Sequence, residues 1–304
     1  MQEQLYTKYK ALLFKLAYQL TGSVSDAEDA VQDVFIKIAD VPPERLAEPK
    51  AYLCKMVTNR CKDLLKSALR KREEYFGEWL PEPFPSSDDD AMESVVREDL
   101  LTYGMIVLLE RLSPSERIVF VLREALGFEY KEIAQLIEKS EPNCRKLFSR
   151  ASAKMGLSDE EELAQPEAEQ QQWVNGFLDA LKAGNVNRVL TMLDPDVVLV
   201  ADGGGKVLAA AQPIVSRDLV AKFLLGPVLQ SAMVGSEALM EMGHMNGQPG
   251  FVIRSKTGDI LTLGLLRVEG NLIRELYLIR NPDKLRHVAQ GGFSEEIGLF
   301  ERLD

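Results

Sequence analysis

The residues best suited to chemistry in this 304-residue chain are two sets of hydrogen-bond donors at helical spacing. Asn143, Arg145, Lys146, Ser149 and Arg150 share one face of a short segment whose opposite face is Cys144, Leu147, Phe148, Ala151 and Met155. Asn59, Arg60, Asp63, Lys66 and Arg70 likewise lie opposite Leu53, Val57, Cys61, Leu64, Leu65 and Ala68, with Lys55 and Lys62 on the same polar side. Guanidinium, ammonium and amide groups arrayed this way suit phosphate oxygens and base edges. From Lys50 to Arg72 there are eight basic residues and one acid, Asp63. A basic amphipathic helix can also lie on a membrane surface. Asn59 and Asp63 in the middle of the polar arc favour specific hydrogen bonding, so nucleic acid is the expected partner and a membrane is not.

The elements that must position these donors follow from periodicity. Tyr130, Ile133, Ala134 and Ile137 make one apolar helical face, and Pro142 stands in the first turn of the next helix, after a break at Glu138-Lys139-Ser140. Two short helices joined by a tight turn describe a helix-turn-helix, or equally a hairpin within a larger bundle. Ser113-Pro-Ser-Glu116 is a capping box with proline at the first helical position, and a helix is expected from about Ala91 to Arg111 before it. Upstream, Leu5, Tyr9, Leu12, Leu13, Leu16 and Leu20 form a stripe that ends at Gly22. Ser25 with Glu28 is expected to cap a second helix that buries Ala30, Val34, Phe35 and Ile38. That helix turns Asp29, Gln32 and Asp33 outward, a face that on its own is simply solvated.

Composition sets the remaining bounds. A net charge of −11 argues against a protein that coats nucleic acid unaided. Between Glu73 and Asp99 ten acids face Arg97 alone, and Pro81, Pro83 and Pro85 keep the stretch extended, which marks a linker. Cys54, Cys61 and Cys144 have neither disulfide nor zinc spacing, so reduced core thiols in a cytoplasmic protein are expected, with no metal or cofactor. Ser158 to Gln170 reads as a second linker. Beyond it come helices around Trp173 to Leu181 and Val186 to Leu193, then β-rich segments at 196–201, 207–211, 250–255, 260–268 and 272–278, with a helix from about Arg217 to Leu225. Hairpin turns fall at Thr257-Gly-Asp259 and Glu269-Gly-Asn271. Helices followed by a curved antiparallel sheet make an α+β domain.

Taken together, residues 1 to about 157 resemble an extracytoplasmic-function (ECF) sigma factor. Asp26-Ala-Glu-Asp-Ala-Val-Gln-Asp-Val-Phe35 resembles the segment that docks on the clamp helices of the RNA polymerase β′ subunit. Val57-Thr-Asn-Arg-Cys-Lys-Asp63 resembles the segment that opens and reads the −10 element, and Glu132-Ile-Ala134 with Asn143-Cys-Arg-Lys-Leu147 resembles the −35 module. The remainder resembles a SnoaL-like cone, which one subgroup of these factors carries at the C-terminus. Three motifs mark that subgroup: Trp79-Leu80-Pro81-Glu82-Pro83, Asp202-Gly203-Gly204-Gly205-Lys206 and Asn281-Pro282-Asp283-Lys284-Leu285. Glu138 departs from the glycine common in the helix-turn-helix turn, so a left-handed residue there would be strained.

The resemblance implies a multidomain chain. Two all-α sigma domains, region 2 (1–78) and the region 4 helix-turn-helix (91–157), are joined by an acidic linker (79–90). A second linker (158–168) leads to an α+β SnoaL-like cone (169–286) and a C-terminal tail (287–304). It implies core RNA polymerase (β′ clamp helices through Asp26, Asp29, Gln32 and Asp33, and the β flap) and promoter DNA as partners. Asn59, Arg60 and Asp63 would hold unpaired bases while Lys66 and Arg70 take phosphates. The three motifs are expected to let the cone grip the linker, with Lys206 pairing Glu82 and the tail as a latch; the alternative is that they only stabilise the cone and its hinge.

Two rival readings stay open at this stage. A one-component helix-turn-helix regulator with a small-molecule domain would leave residues 1 to 72 without a task. An enzyme would need acid/base groups in the cone, for which Asp202, His244 and Glu275 are the candidates. Asp202 reads more easily as part of a surface hairpin, His244 as a loop residue after a methionine-rich stretch, and none has a paired titratable neighbour. Catalysis is not expected; a small ligand in the cone is left open.

Overall fold

The computed structural model describes residues 2–42, 46, 48–84, 101–156, 168–226, 238–246, 248–288 and 293–299. They fall into two units, Met1–Glu73 with Asp88–Ala164, and Glu74–Ser87 with Gln165–Asp304. The expected helix start at Ala91, residues 85–90 of the first linker, 158–167 of the second and the Gly291-Gly292 tail segment lie outside the described residues.

The first unit is helical wherever it is described in regular structure. Helix α1 (Gln2–Thr21) ends on Gly22 at φ +67°, whose N–H returns to the Tyr18 carbonyl at 2.7 Å. Helix α2 (Val24–Ile38) starts two residues earlier than expected, because the Ser23 hydroxyl, not that of Ser25, accepts the Asp26 N–H at 3.2 Å. Phe35 is only half-buried, edge-on to Tyr6 at 4.9 Å, while Val31 takes the core position. Helix α3 (Pro49–Glu73) buries Leu53, Cys54, Val57, Cys61 and Leu65 against α1 and α2. Burial pushes the Cys54 and Cys61 thiols up to about 12, so both are inert core groups.

Helices α4 (Tyr103–Leu109) and α5 (Pro114–Glu124) precede the pair α6 (Tyr130–Ile137) and α7 (Glu141–Met155). Both start signals appear as read: Ser113 and Glu116 close the capping box behind Pro114, and Ser140 stands at the N-cap of α7 before Pro142. Glu138 ends α6 in the left-handed region, φ 56° and ψ 47°, the conformation an L-residue adopts only under strain.

The second unit stacks helices on one sheet. Helices α8 (Ala168–Lys182), α9 (Val186–Met192) and α10 (Arg217–Leu224) share a core with a sheet of strands β1 (Leu193–Asp202), β2 (Ile214–Val215), β3 (Leu239–Met245), β4 (Gln248–Arg254), β5 (Ile260–Glu269) and β6 (Leu272–Ile279), extended at one edge by β7 (Phe293–Leu299). Spatial order is β2-β1-β6-β5-β4-β3-β7. The sheet is not wholly antiparallel as expected, because β1 and β6 run parallel, Leu199 beside Leu276 and Asp202 beside Ile279. Both anticipated hairpins form, with Gly258, Gly270 and Asn271 at positive φ. No strand forms at 207–211. His244, read as a loop residue, lies in β3 together with the methionine-rich stretch before it, with Met240 and Met242 buried, and part of the expected tail is β7, paired with β3.

One consequence concerns acid. Burial alone would raise the Glu116 pKa, but hydrogen bonds from Lys154 Nζ (2.7 Å) and from Ser113 Oγ (2.7 Å) and N (2.9 Å) outweigh it, so the carboxyl falls from 4.5 to about 2. A depressed folded pKa contributes stability that is whole above 4.5 and is lost as pH falls toward 2. Glu116→Gln is expected to be less stable than wild type at pH 6, with the difference narrowing below pH 4.5 and closing only as pH falls to about 2. Denaturant melts of the full chain across that range provide the check; parallel stability curves would contradict it.

Candidate nucleic-acid interface and the bound linker

Helix α7 turns Asn143, Arg145, Lys146, Ser149 and Arg150 to solvent and buries Cys144, Ala151 and Met155. Burial raises the Cys144 thiol pKa. Phe148 anchors the helix, stacked on Phe120 at 5.6 Å and edge-on to Tyr130 at 6.0 Å. Arg145 is pre-positioned, its guanidinium 2.7 Å from Glu141 and 4.4 Å above the Tyr130 ring. On α3, Asn59, Asp63 and Lys66 are exposed, and Lys66 lies 3.4 Å from Asp63. Arg60 sits 2.8 Å from Asp33 of α2, a charge contact off the hydrogen-bond axis, so a candidate −10 residue and a candidate polymerase contact hold each other. Asp29 and Gln32 are exposed and Asp26 is half-buried. The Arg70 side chain lies outside what is described.

The two donor-bearing helices belong to one packed body. Lys55, from the polar arc of α3, bonds Glu138 in the helix-turn-helix turn at 2.7 Å, and that contact lowers the Glu138 pKa. Lys50 lies 5.1 Å over Phe128, and the Gln19 side chain accepts the Leu101 N–H at 3.2 Å. A buried charge cluster completes the junction: Glu110 takes ion pairs from both Arg72 and Arg117. Arg117 is 2% exposed, and burial lowers the pKa of both guanidiniums. Arg72, read from the sequence as the end of a basic run, is therefore an internal strut. Nothing local in Arg70-Lys71-Arg72 distinguishes it, because its partner is 38 residues away.

In the second unit the three linker and cone motifs meet at one carboxylate. Asp202 is fully buried, and its four lone-pair directions are filled. Oδ1 accepts from the Tyr75 hydroxyl (2.6 Å) and the Gly204 N–H (3.0 Å), and Oδ2 from the Leu80 N–H (2.9 Å) and Lys284 Nζ (2.6 Å). Lys284 also donates to the Leu80 carbonyl, with its ammonium 4.1 Å from the Trp79 ring and 5.1 Å from the Tyr75 ring. Asn281 donates to the Tyr75 hydroxyl at 2.8 Å and caps the 3-10 turn Pro282–Lys284. Burial and the Asp202 hydrogen bond push the Tyr75 pKa up. Farther along, Leu80, Pro81, Pro83 and Phe84 are buried, and the Phe84 N–H donates to Asn246 at 3.0 Å.

The glycines have specific reasons. A Cβ at Gly203 would lie 2.2 Å from the Val207 carbonyl oxygen, and one at Gly204 2.3 Å from Asn281 Nδ2. The turn therefore curls back on itself, which is why 207–211 does not continue as a strand. Two expectations are corrected here. Asp202 is the centre of a buried hub, not part of a surface hairpin. Lys206 pairs with Asp283, which lowers the Asp283 pKa, and not with Glu82. Tyr75, Phe84 and Asn246 were missed; an aromatic on each side of Trp79 in an acidic stretch was the available signal. Of the other acid/base candidates, Glu275 is bonded by the Tyr277 hydroxyl and lies 3.5 Å from Arg267, whose pKa its neighbouring carboxylates raise against burial. The His244 side chain lies outside what is described.

Comparison with known proteins matches residues 5–72 to Sigma-70 region 2 and residues 105–155 to Sigma-70, region 4. Over 280 residues the chain is 32% identical to ECF RNA polymerase sigma factor SigJ of Mycobacterium tuberculosis, spanning 90% of this chain and 89% of that protein. The chain belongs to the ECF RNA polymerase sigma factor family. Probable ECF RNA polymerase sigma factor SigI of the same species is 28% identical over 292 residues, spanning 93% and 96%. The crystal structure of the M. tuberculosis sigma factor SigJ superposes with a TM-score of 0.73 at 29% identity, covering 93% of this chain and 97% of that one. As an ECF sigma factor with an α+β SnoaL-like cone, the chain fits the regulator-only alternative poorly: region 2 fills the residues that alternative leaves idle.

Asp202→Ala would leave the Lys284 ammonium buried beside no carboxylate, a loss of about 3–5 kcal/mol for a pair of this kind. The Leu80 amide should lose hydrogen-exchange protection before the sheet does. Lys206→Ala, which breaks an exposed pair, should change stability by less than ~1 kcal/mol. Unchanged Leu80 protection in Asp202→Ala would refute the hub.

Proposed function

We propose that this ECF sigma factor brings core RNA polymerase to promoter DNA, and that its cone restrains it in cis by holding residues 74–84. The observation that carries the restraint is the Asp202–Lys284 site, which grips both the N–H and the C=O of Leu80. Along the chain those linker residues lie between α3 and α7, the two donor-bearing helices of the one helical body. Elements at −10 and −35 lie ~25 base pairs apart, ~85 Å at 3.4 Å per step. A reading that needs both helices at once therefore needs Lys55–Glu138 and Arg72–Glu110–Arg117 to part and the linker to extend.

In the open form, Asn59, Arg60 and Asp63 would hold extruded bases, Lys66 and Arg70 phosphates, and the α7 donors the major groove. Asp26, Asp29, Gln32 and Asp33 would meet the β′ clamp helices, with region 4 on the β flap. An acidic chain forfeits nonspecific phosphate affinity, so the polymerase supplies the electrostatic grip. This role belongs to the bacterial cytoplasm, and no described helix is long and apolar enough to cross a membrane.

Run-off transcription with purified core polymerase tests both parts. The full chain should bind core enzyme and bind promoter duplex weakly without it; tight sequence-specific duplex binding alone would favour an ordinary regulator. Arg150→Ala should cost roughly 1–3 kcal/mol at one −35 position if it reads a base, whereas Lys66→Ala should weaken all promoters alike. Asp202→Ala should expand the chain in solution scattering and change promoter output. If both stay at wild-type values, the cone does not act through the linker.

A further inference from the structure

Just past the end of β6 stands an arginine, Arg280, that has no counter-charge among the described residues. Leu276 and Leu278 point into the cone core, and by strand alternation Arg280 follows them on that face. It is 9% exposed, its Nε has no hydrogen-bond partner, and its Nη1 donates to the Leu208 carbonyl. Among the described residues no carboxylate pairs with it, unlike Arg117, which has Glu110, and Arg254, which has Glu241. Burial lowers the Arg280 pKa, and no neighbouring acid raises it again.

A second orphan lies beside it. Strands β5 and β6 pair as Leu263 with Ile279 and Gly264 with Leu278, and that register continued one step past the last pair brings Thr262 opposite Arg280. Thr262 is fully buried and its hydroxyl has no partner. Its other neighbour across the sheet is Ile253 of the cone core, and Gly264, two residues along, faces the Phe251 ring. One row thus presents a guanidinium and a hydroxyl within an apolar lining. Leaving such groups unpaired is costly unless something binds them.

We propose that Arg280 and Thr262 form a binding site in the cone for the carboxylate of a small apolar acid. A planar monoanion matches the guanidinium fork, with the hydroxyl as an added donor. A phosphate dianion would call for more than the one cation present. The remaining 9% exposure of Arg280 places it at the edge of the core, whereas Thr262 lies fully inside it. The site also adjoins the linker hub, since the Arg280 N–H bonds the Asp202 carbonyl at 2.8 Å.

The test is calorimetric and thermal titration of the full chain with sodium benzoate and sodium acetate, against sodium chloride at equal ionic strength. Saturable binding of benzoate, tighter than acetate, is expected, with ~10-fold or greater loss in Arg280→Met and a smaller loss in Thr262→Val. Without probe, Arg280→Met should melt at or above the wild-type temperature, because it removes an uncompensated buried charge. Absence of saturable binding by the full chain would overturn the site, as would binding retained in Arg280→Met. A lower melting temperature of Arg280→Met without probe would also count against it, by making the guanidinium a structural strut.

Discussion

The hold of the second unit on its linker rests on a buried ion pair, Asp202 with Lys284, whose side chains are 0% and 7% exposed. A buried pair is stable only when every remaining lone pair and proton is satisfied. Here the bill of donors is complete, and two of the donors come from outside the cone sequence, the Tyr75 hydroxyl and the Leu80 N–H. Removing residues 74–84 would leave Asp202 short of two partners and strip two aromatic rings from around the ammonium. The cone and the linker are thus one folding unit, which agrees with their division from the helical body. The linker is held both through the backbone N–H and C=O of Leu80 and through the buried Leu80 and Phe84 side chains.

The helical body answers the same problem in reverse. Two guanidiniums share the Glu110 carboxylate, so the junction of α3, α4 and α5 keeps an excess positive charge partly buried. Such a cluster holds the body together while its packing excludes water, and becomes favourable to solvate once that packing opens. Glu138 adds to this poise. It spends backbone strain at φ 56° to present a carboxylate to Lys55, where glycine would relax the turn but offer no charge.

What was legible in the sequence was local. Ser113, Pro114 and Glu116 specify a helix start within four residues, and the apolar stripes of α1, α3 and α7 follow from period alone. What was not legible depends on distant partners. Residues 207–211 look like a strand, but Gly203 and Gly204 turn the chain against Asn281 and draw it out of the sheet. Strand β3 hid behind methionines, whose weak strand preference is overridden by burial of Met240 and Met242. Lys206 chose Asp283 over Glu82, and Arg72 turned inward, because ion-pair choice is decided by the packed geometry. The motif residues themselves were visible as a set; that they converge on one carboxylate was not.

Tethering decides what can undo the clasp. Because the linker and the cone are on one chain, their contact forms at the effective concentration of a short intramolecular loop, and even a weak intrinsic affinity keeps it closed. A soluble competitor for the Asp202 site would have to overcome that concentration. A partner that binds the helical bodies and pulls them apart faces no such competition, since each newly exposed surface adds its own binding energy while the clasp contributes only once. Under the proposed function, core polymerase would act in this second way, by engaging the two helical modules separately. A small acid at Arg280 would act in a third, from inside the cone, one residue from the Asn281 that holds Tyr75. The two inputs differ in kind: one strains the linker from its ends, and the other alters the surface that grips it.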